Sequence, residues 1–286
     1  MTDYSQIQGV NWSRLKLLTR SPRHYRYGYE EASRDSAARR FGRLAHLLVL
    51  EPERAEEQVA VWRGPGSRAT KAYKEWAAAL PPGVEEITEA EYDRAQAMAD
   101  AVRAHPVAGV LLAHGEAEVA LSWVEDVDGQ AVACKGRVDW LVSEATPEQA
   151  AAVGCEPGEA ILLDLKTCGS VAAREVARYA ASQMTHGQLA HYAAGIAHHV
   201  GRAPAGVVMV SVETRAPHDV ACDLLPTDEA LYGGELLRMS LLRQLVACEA
   251  ADHWPGVAPA MRTLTLPAWA AGWEHDTDDE VVVKEE

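Results

Sequence analysis

AEVALSWVEDVDGQAVACKGRVDWLV (residues 117–142) and AILLDLKTC (residues 160–168) decide how this chain folds. In the first stretch apolar and polar residues alternate on both sides of Asp128-Gly129. Alternation at a period of two marks half-buried strands, and Asp-Gly supplies the turn of a hairpin. The second stretch is short and mostly apolar, as a central strand must be. Asp164 and Lys166 interrupt it. Residues two apart on a strand share a face, so both charges leave the strand on one side near its end. Either charge buried alone would be costly, so the two are paired or bound to something.

Working outward, residues 144–159 read as a polar loop rich in Ala, Glu and Gly. Residues 183–200 have the spacing of an amphipathic helix, APAGVVMVSVET (203–214) reads as a further strand, and 228–250 as a long helix. Upstream, FGRLAHLLVLEP (41–52) places Leu44, Leu47 and Leu48 at helical spacing and stops at Pro52. RGPGSRAT (63–70) reads as a loop, and 71–80 and 89–104 as surface helices. The order is helices followed by β-β-β-α-β-α. That predicts an α/β (α+β) fold: a small mixed sheet flanked by helices, with a helical N-terminal part. We expect a single domain over 1–273, mainly helical over 1–110 and carrying the sheet over 111–273. Residues 274–286 hold seven acids against Lys284 and are expected to form a disordered acidic tail.

The chain has 286 residues, 48% of them hydrophobic and 24% charged, which is ordinary globular composition. No apolar run is long enough to span a bilayer, and the N-terminus lacks the apolar stretch of a secretory signal. Five scattered cysteines without a CxxC pair argue against a disulfide framework or a four-cysteine metal site, and favour a reducing, cytoplasmic compartment. Net charge is −15, but Arg14 to Arg43 carries +6. Arg14, Arg20, Arg23, Arg26 and Arg43 in this segment interleave with Tyr25, Tyr27 and Tyr29, a combination suited to phosphates and unstacked bases.

Asp139 closes KGRVD on the strand before Asp164. Neighbouring strands lie about 4.8 Å apart, close enough for the two carboxylates to share a hard divalent cation such as Mg²⁺ or Mn²⁺. Without a cation they would repel. Glu118, or its neighbour Glu116, could add an oxygen. Lys166 would orient a water or stabilise developing negative charge. Gln188 and Tyr192, four apart on a helix, share a face. His46 lies among leucines, where a histidine is more often structural than a ligand. His186, His191, His198 and His199 lack metal-site spacing and read as surface residues. Together the carboxylates, the lysine and the basic segment suit phosphodiester hydrolysis.

In order, RSPRHY, FGRLAHLLVLEP, EVALSW, CKGRVDWL, LLDLKTC and QLAHYAAG resemble the PD-(D/E)XK nuclease superfamily. Within it they are most similar to the RecE-like exonucleases, over about residues 10 to 250. The resemblance implies a restriction-endonuclease-like core. It implies His46, Asp139, Asp164 and the Leu165 backbone carbonyl as ligands of Mg²⁺, with Mn²⁺ able to substitute. It makes Lys166 the catalytic lysine, Glu118 the acid before the first core strand, and Gln188 and Tyr192 the supporting QxxxY pair. It implies digestion of linear double-stranded DNA from 5′ ends to leave 3′ single strands for recombination. A single-strand annealing protein would be the partner, and a homo-oligomeric ring a possible assembly. The loop at 144–159 departs from the family pattern. An endonuclease of repair or defence on the same core, or a non-catalytic DNA-binding protein, are the competing readings.

Overall fold

A computed structural model describes residues 4–28, 36–258 and 260–267. The expected tail at 274–286 lies outside them, as does Tyr29. Short helices α1 (Trp12–Leu15) and α2 (Pro22–Tyr27) open the chain, followed by α3 (Ala37–Leu50) and α4 (Ala55–Gln58). Side chains of Asn11, Ser21 and Ser36 accept backbone N–H groups at the starts of α1, α2 and α3. A two-stranded parallel ribbon comes next, β1 (Val59–Trp62) and β2 (Glu85–Thr88), joined through α5 (Lys71–Ala78). Helices α6 (Glu89–Ala104) and α7 (Pro106–Leu111) lead into the main sheet.

That sheet runs β3 (Glu116–Val127), β4 (Gln130–Val142), β5 (Ile161–Cys168), β6 (Gly206–Glu213) and β7 (Val220–Leu224), in that spatial order. Only β5 and β6 are parallel; the other pairs are antiparallel. The parallel step requires a long crossover, made by α9 (Ala173–Gln183) and α10 (Thr185–Val200). Helix α8 (Pro147–Val153) sits between β4 and β5, and α11 (Tyr232–Ala251) closes the fold. The mixed sheet flanked by helices is the architecture read from the sequence.

Two hydrophobic cores lie against the sheet. The first gathers Leu44 and Leu48 of α3, Met98 and Val102 of α6, and Ile161, Leu163 and Leu165 of β5. The second gathers Trp12, Leu15, Leu189, Ile196 and Leu242 with Leu121, Trp123 and Leu162. The odd positions of β5 feed one core and the even ones face the other way, which sends Asp164 and Lys166 off on the side of Leu162.

Several details differ from the sequence reading. Residues 144–159 are not all loop, because Thr146 and Gln149 form a capping box that starts α8. Buried Gln149 then donates to the carbonyls of Leu111 and His114. The segment 89–104 is no surface helix; it buries Ala95, Met98, Ala99 and Val102 completely. β1, β2, β7 and α9 were not anticipated: the strands are only four or five residues long, and α9 has a single buried residue, Val176. His191 is fully buried, whereas His198 and His199 are exposed as expected. Its ring packs 4.8 Å from that of Trp123, and its Nε2 donates to the Lys135 carbonyl at 3.1 Å.

Burial pushes the His191 imidazole down to about 4. The folded state therefore binds fewer protons than the unfolded state between that value and the ordinary histidine range. Stability falls as pH drops through this window. The wild-type protein is expected to lose about 2 kcal/mol between pH 7 and pH 5 through this residue. Urea unfolding of wild type and His191→Phe at the two pH values checks it. The variant should lack that loss, and equal losses would assign the pH dependence elsewhere.

Candidate metal centre

The β3–β4 pair changes phase at one place. Val119 and Leu121 of β3 face the second core, yet Ala117 packs against the first. On β4, Val138 faces the second core, but Trp140 faces the first. With a strict period of two, 117 and 119 would share a face, as would 138 and 140. The break falls at Glu118, whose φ is +53°. Asp139 lies opposite it in the register set by Ala117↔Trp140 and Val119↔Val138. A non-glycine residue held at positive φ costs on the order of 1–3 kcal/mol and persists only where its surroundings dictate it.

A second interruption meets the first. β4 and β5 pair only from Trp140↔Leu163 to Val142↔Ile161. The next pair in that register is Asp139 with Asp164, and there the ladder stops. Asp139 Oδ2 accepts the Leu165 N–H at 2.8 Å, so a side chain replaces a ladder bond. In an extended strand the N–H and C=O of one residue point to the same neighbour. The Leu165 carbonyl therefore opens onto the same gap. Glu118, Asp139 and Asp164 thus form a row across three adjacent strands.

α3 brings His46 to this row. One ligand atom each from His46, Glu118 and Asp139 lie within 4.8 Å of one another. His46 Nδ1 is 3.8 Å from Asp139 Oδ2, too far for a hydrogen bond. Burial raises the Glu118 carboxyl above the ordinary range; Arg137, at 2.7 Å, opposes the shift and Asp139 adds to it. Asp164 stands outside this trio. It is fully buried, and Lys166 Nζ lies 2.6 Å from its Oδ2. Burial works against the Lys166 charge, but Asp164 and Asp139 outweigh it and hold the ammonium above the usual lysine range. Gln188 Nε2 donates to the Tyr192 hydroxyl at 3.0 Å. Gly136 of β4 makes room for that ring, since a Cβ there would come within 3.0 Å of it. Burial keeps the Tyr192 phenol protonated, and Asp139 and Asp164 reinforce the effect.

His46, Glu118, Asp139, Lys166 and Gln188 open onto a cleft of about 1020 Å³. The N-terminal segment walls one side. Val10 bridges to β4 at Cys134, on the flank that β5 has left, and Lys135 Nζ donates to the Ile7 carbonyl at 2.7 Å. Gly9 sits at φ +134° against the Cys134 backbone, where a Cβ would fall 2.9 Å from the carbonyl carbon.

A divalent cation fits this donor set. Carboxylate oxygens suit Mg²⁺ and Mn²⁺, and an imidazole is compatible with the latter. The buried Asp164 oxygens accept no well-directed hydrogen bond, although Lys166 is adjacent. A buried carboxylate left so under-bonded, beside two others, is an arrangement that a cation relieves.

The sequence-derived residues divide. His46, Glu118, Asp139, Lys166 and Gln188 line the one cleft, with Asp164 and Tyr192 behind it. Glu116 also lines the cleft but is exposed and outside the trio. Arg43 lines the cleft while paired with Glu85 at 2.8 Å. Arg20, Arg23 and Arg26 do not line it, although all three are exposed. Tyr25 is buried, not free to stack on a base. It stacks on Trp254 with ring centroids 5.8 Å apart, Arg14 lies over its ring at 4.8 Å, and Arg26 lies over Trp254 at 5.7 Å. Two further cations, to which the sequence reading gives no individual role at the site, lie near these groups. Arg137 is two residues before Asp139, a spacing that could have revealed it. Lys16 is half-buried, and burial with the nearby charges of Lys166 and Arg39 lowers its pKa; nothing in the sequence says which way its helical turn faces.

Replacing Glu118 with glycine tests the trio. Glu118→Gly relieves the positive φ and removes a half-buried carboxylate, so metal-free stability should rise by about 1 kcal/mol. Its thermal shift on adding Mn²⁺ should shrink relative to wild type. A variant less stable than wild type, with an undiminished Mn²⁺ shift, would remove Glu118 from the site.

A family model described as "PDDEXK-like domain of unknown function (DUF3799)" matches residues 11–262. No curated protein sequence matches the chain. Among solved structures, one from Eubacterium rectale described as a "Putative exonuclease" covers 91% of this chain and 92% of its own, with TM-score 0.51 at 11% identity. That likeness is one of fold. SSO0001 is 13% identical over 81% of this chain and 74% of its own, with a TM-score of only 0.33.

Proposed function

The chain belongs to the PDDEXK-like family DUF3799, and on that premise we propose that it is a Mg²⁺-dependent DNA exonuclease of the RecE-like kind. The observation that carries the reading is the Asp164–Lys166 pair at 2.6 Å, beside His46, Glu118 and Asp139, where β4 and β5 part. His46, Asp139, Asp164 and the Leu165 carbonyl would hold the cation, with Glu118 adding a carboxylate directly or through water. Bound there, a divalent cation supplies Lewis acidity toward a phosphoryl oxygen and lowers the pKa of water.

The remaining work falls to the chain's own groups. Lys166 is a cation paired with Asp164 at 2.6 Å. It donates toward the phosphate and stabilises the charge that develops there. Gln188 and Tyr192 hold the helix face beside it. Water oxygen joins phosphorus, the bond from phosphorus to the neighbouring nucleoside oxygen breaks, and the proton the water gives up ends on that leaving oxygen. The substrate is linear double-stranded DNA with a free end. Digestion runs 5′ to 3′ and leaves 3′ strands for a single-strand annealing recombinase. Residues 1–273 act as one nuclease domain, with 274–286 as an acidic appendage. A homo-oligomeric ring would let basic residues face the DNA while acids face solvent. The five cysteines are free thiols, in keeping with a reducing cytoplasm. Among the described residues no helix is long and apolar enough to cross a membrane.

Purified protein is incubated with 5′- or 3′-end-labelled linear duplex and with a closed circle, in Mg²⁺, Mn²⁺ or EDTA. Metal-dependent loss of the 5′ label with the circle intact is expected. Circle nicking would replace the proposal with an endonuclease. Absence of cleavage in either metal would leave a DNA-binding protein. Lys166→Met should slow cleavage at least about 100-fold while retaining the cation-induced thermal shift. Asp164→Ala should lose both.

Neutralising Arg20, Arg23 and Arg26 together should weaken duplex binding and flatten its dependence on log salt by about 0.9 for each residue that touches a phosphate. An unchanged slope would place the DNA path elsewhere.

A further inference from the structure

A second cleft, of about 760 Å³, lies on the other side of Lys166. Its walls come from the start of α3, from α6, from the end of β5 and from α9. Lys166 lines both clefts. Neighbouring residues of α3 divide between them. Phe41 faces the second cleft and Gly42 the first, and a Cβ on Gly42 would sit 3.8 Å from Thr167 Oγ1 of the second.

The two clefts differ in how their cations are used. In the first, Arg54 pairs with Glu51, Arg137 with Glu118 and Arg43 with Glu85. In the second, the carboxylates are committed elsewhere: Glu91 caps α6 and pairs with Arg68 at 2.8 Å, and Glu175 pairs with Arg178 at 3.4 Å. Arg94 and Arg215 are exposed, and among the described residues neither forms an ion pair. The Arg94 guanidinium lies 3.8 Å from the centroid of Phe41, which fixes its place on the rim. Tyr179 opens onto the same cleft with 41% of its surface exposed, and Ser170 and Thr214 add polar edges.

We propose that this second cleft holds a single DNA strand continuous with the one at Lys166, its phosphates on Arg94 and Arg215 and a base on Tyr179. Arginines with no ion pair among the described residues, beside an exposed aromatic ring, are the elements of single-strand recognition. The cleft is of small-molecule dimensions, room for a short run of nucleotides and far too small for a duplex. A strand passing from one cleft to the other at Gly42 meets the lysine that both share. The inference rests on the nuclease reading for its direction of argument, but its test reads binding, not cleavage.

Fluorescence anisotropy of labelled dT20 and of a labelled 20-base-pair duplex, in EDTA over a range of NaCl, measures it. Arg94→Ala with Arg215→Ala should weaken dT20 binding at least about tenfold and flatten its salt slope by about 1.4, from roughly 0.7 per phosphate contact on a single strand. Tyr179→Ala should weaken it at least about fivefold, and Tyr179→Phe should restore it. All three positions of change, Arg94, Tyr179 and Arg215, are exposed, and far-ultraviolet circular dichroism checks that each variant is folded. Affinity and slope equal to wild type in the double variant would overturn the proposal, as would failure of the wild type to bind dT20. Asp139→Ala separates the two readings: it should abolish cleavage and still bind dT20. Metal-dependent cleavage with unaltered dT20 binding in the cleft variants would leave the nuclease reading standing and remove this one.

Discussion

Three carboxylates in register across three adjacent strands are mutually repulsive, and much of the fold around them answers that repulsion. Like charges directly opposite on a sheet destabilise it. Here the ladder gives way at the point of conflict. β3 and β4 both change phase at Glu118 and Asp139, Glu118 takes a positive φ, and β5 leaves β4 before Asp164 is reached. Two local countercharges and one backbone hydrogen bond do the rest. Arg137 holds Glu118, Lys166 holds Asp164, and the Leu165 amide holds Asp139. A cation-binding gap and a strained sheet edge are one feature seen from two sides.

The parting of β4 and β5 also decides what surrounds the gap. The free flank of β4 is taken by the N-terminal segment at Val10, which becomes a wall of the cleft. The even face of β5, which carries Asp164 and Lys166, looks toward Gln188 and Tyr192 on α10. Small residues permit the close approaches: Gly136 against the Tyr192 ring and Gly9 against the Cys134 backbone. The helices of the crossover therefore serve both the topology, which demands a long connection between parallel strands, and the site.

Much of this was legible in the sequence where a short period or a short spacing encodes it. The hairpin follows from Asp128-Gly129 between alternating runs, and the common face of Asp164 and Lys166 from their separation by one residue. What sequence conceals is mostly direction and partnership. Period-two reasoning fails at Glu118 because a single positive φ reverses the sense of inside and outside. Tyr25 reads like a nucleic-acid platform among arginines, yet it stacks on Trp254, over two hundred residues away in the chain, and that contact has no local signature. His191 looks like one of several polar residues on a helix, and only the packing of α10 against β3 and β4 buries it. Helix α8 is the opposite case. Its Thr146-to-Gln149 capping box was present in the sequence, hidden by a polar, Ala- and Gly-rich composition that resembles a loop.

The clamp between Lys135 and the carbonyls of Tyr4 and Ile7 has a practical side. Tyr4 and Ile7 belong to the wall of the larger cleft, so whatever is joined ahead of Tyr4 leaves from beside the cation-binding gap. A purification handle fused there would share the cleft mouth with any ligand. A polyhistidine handle would do more, presenting metal-binding imidazoles next to a metal centre and confounding measurements of its occupancy.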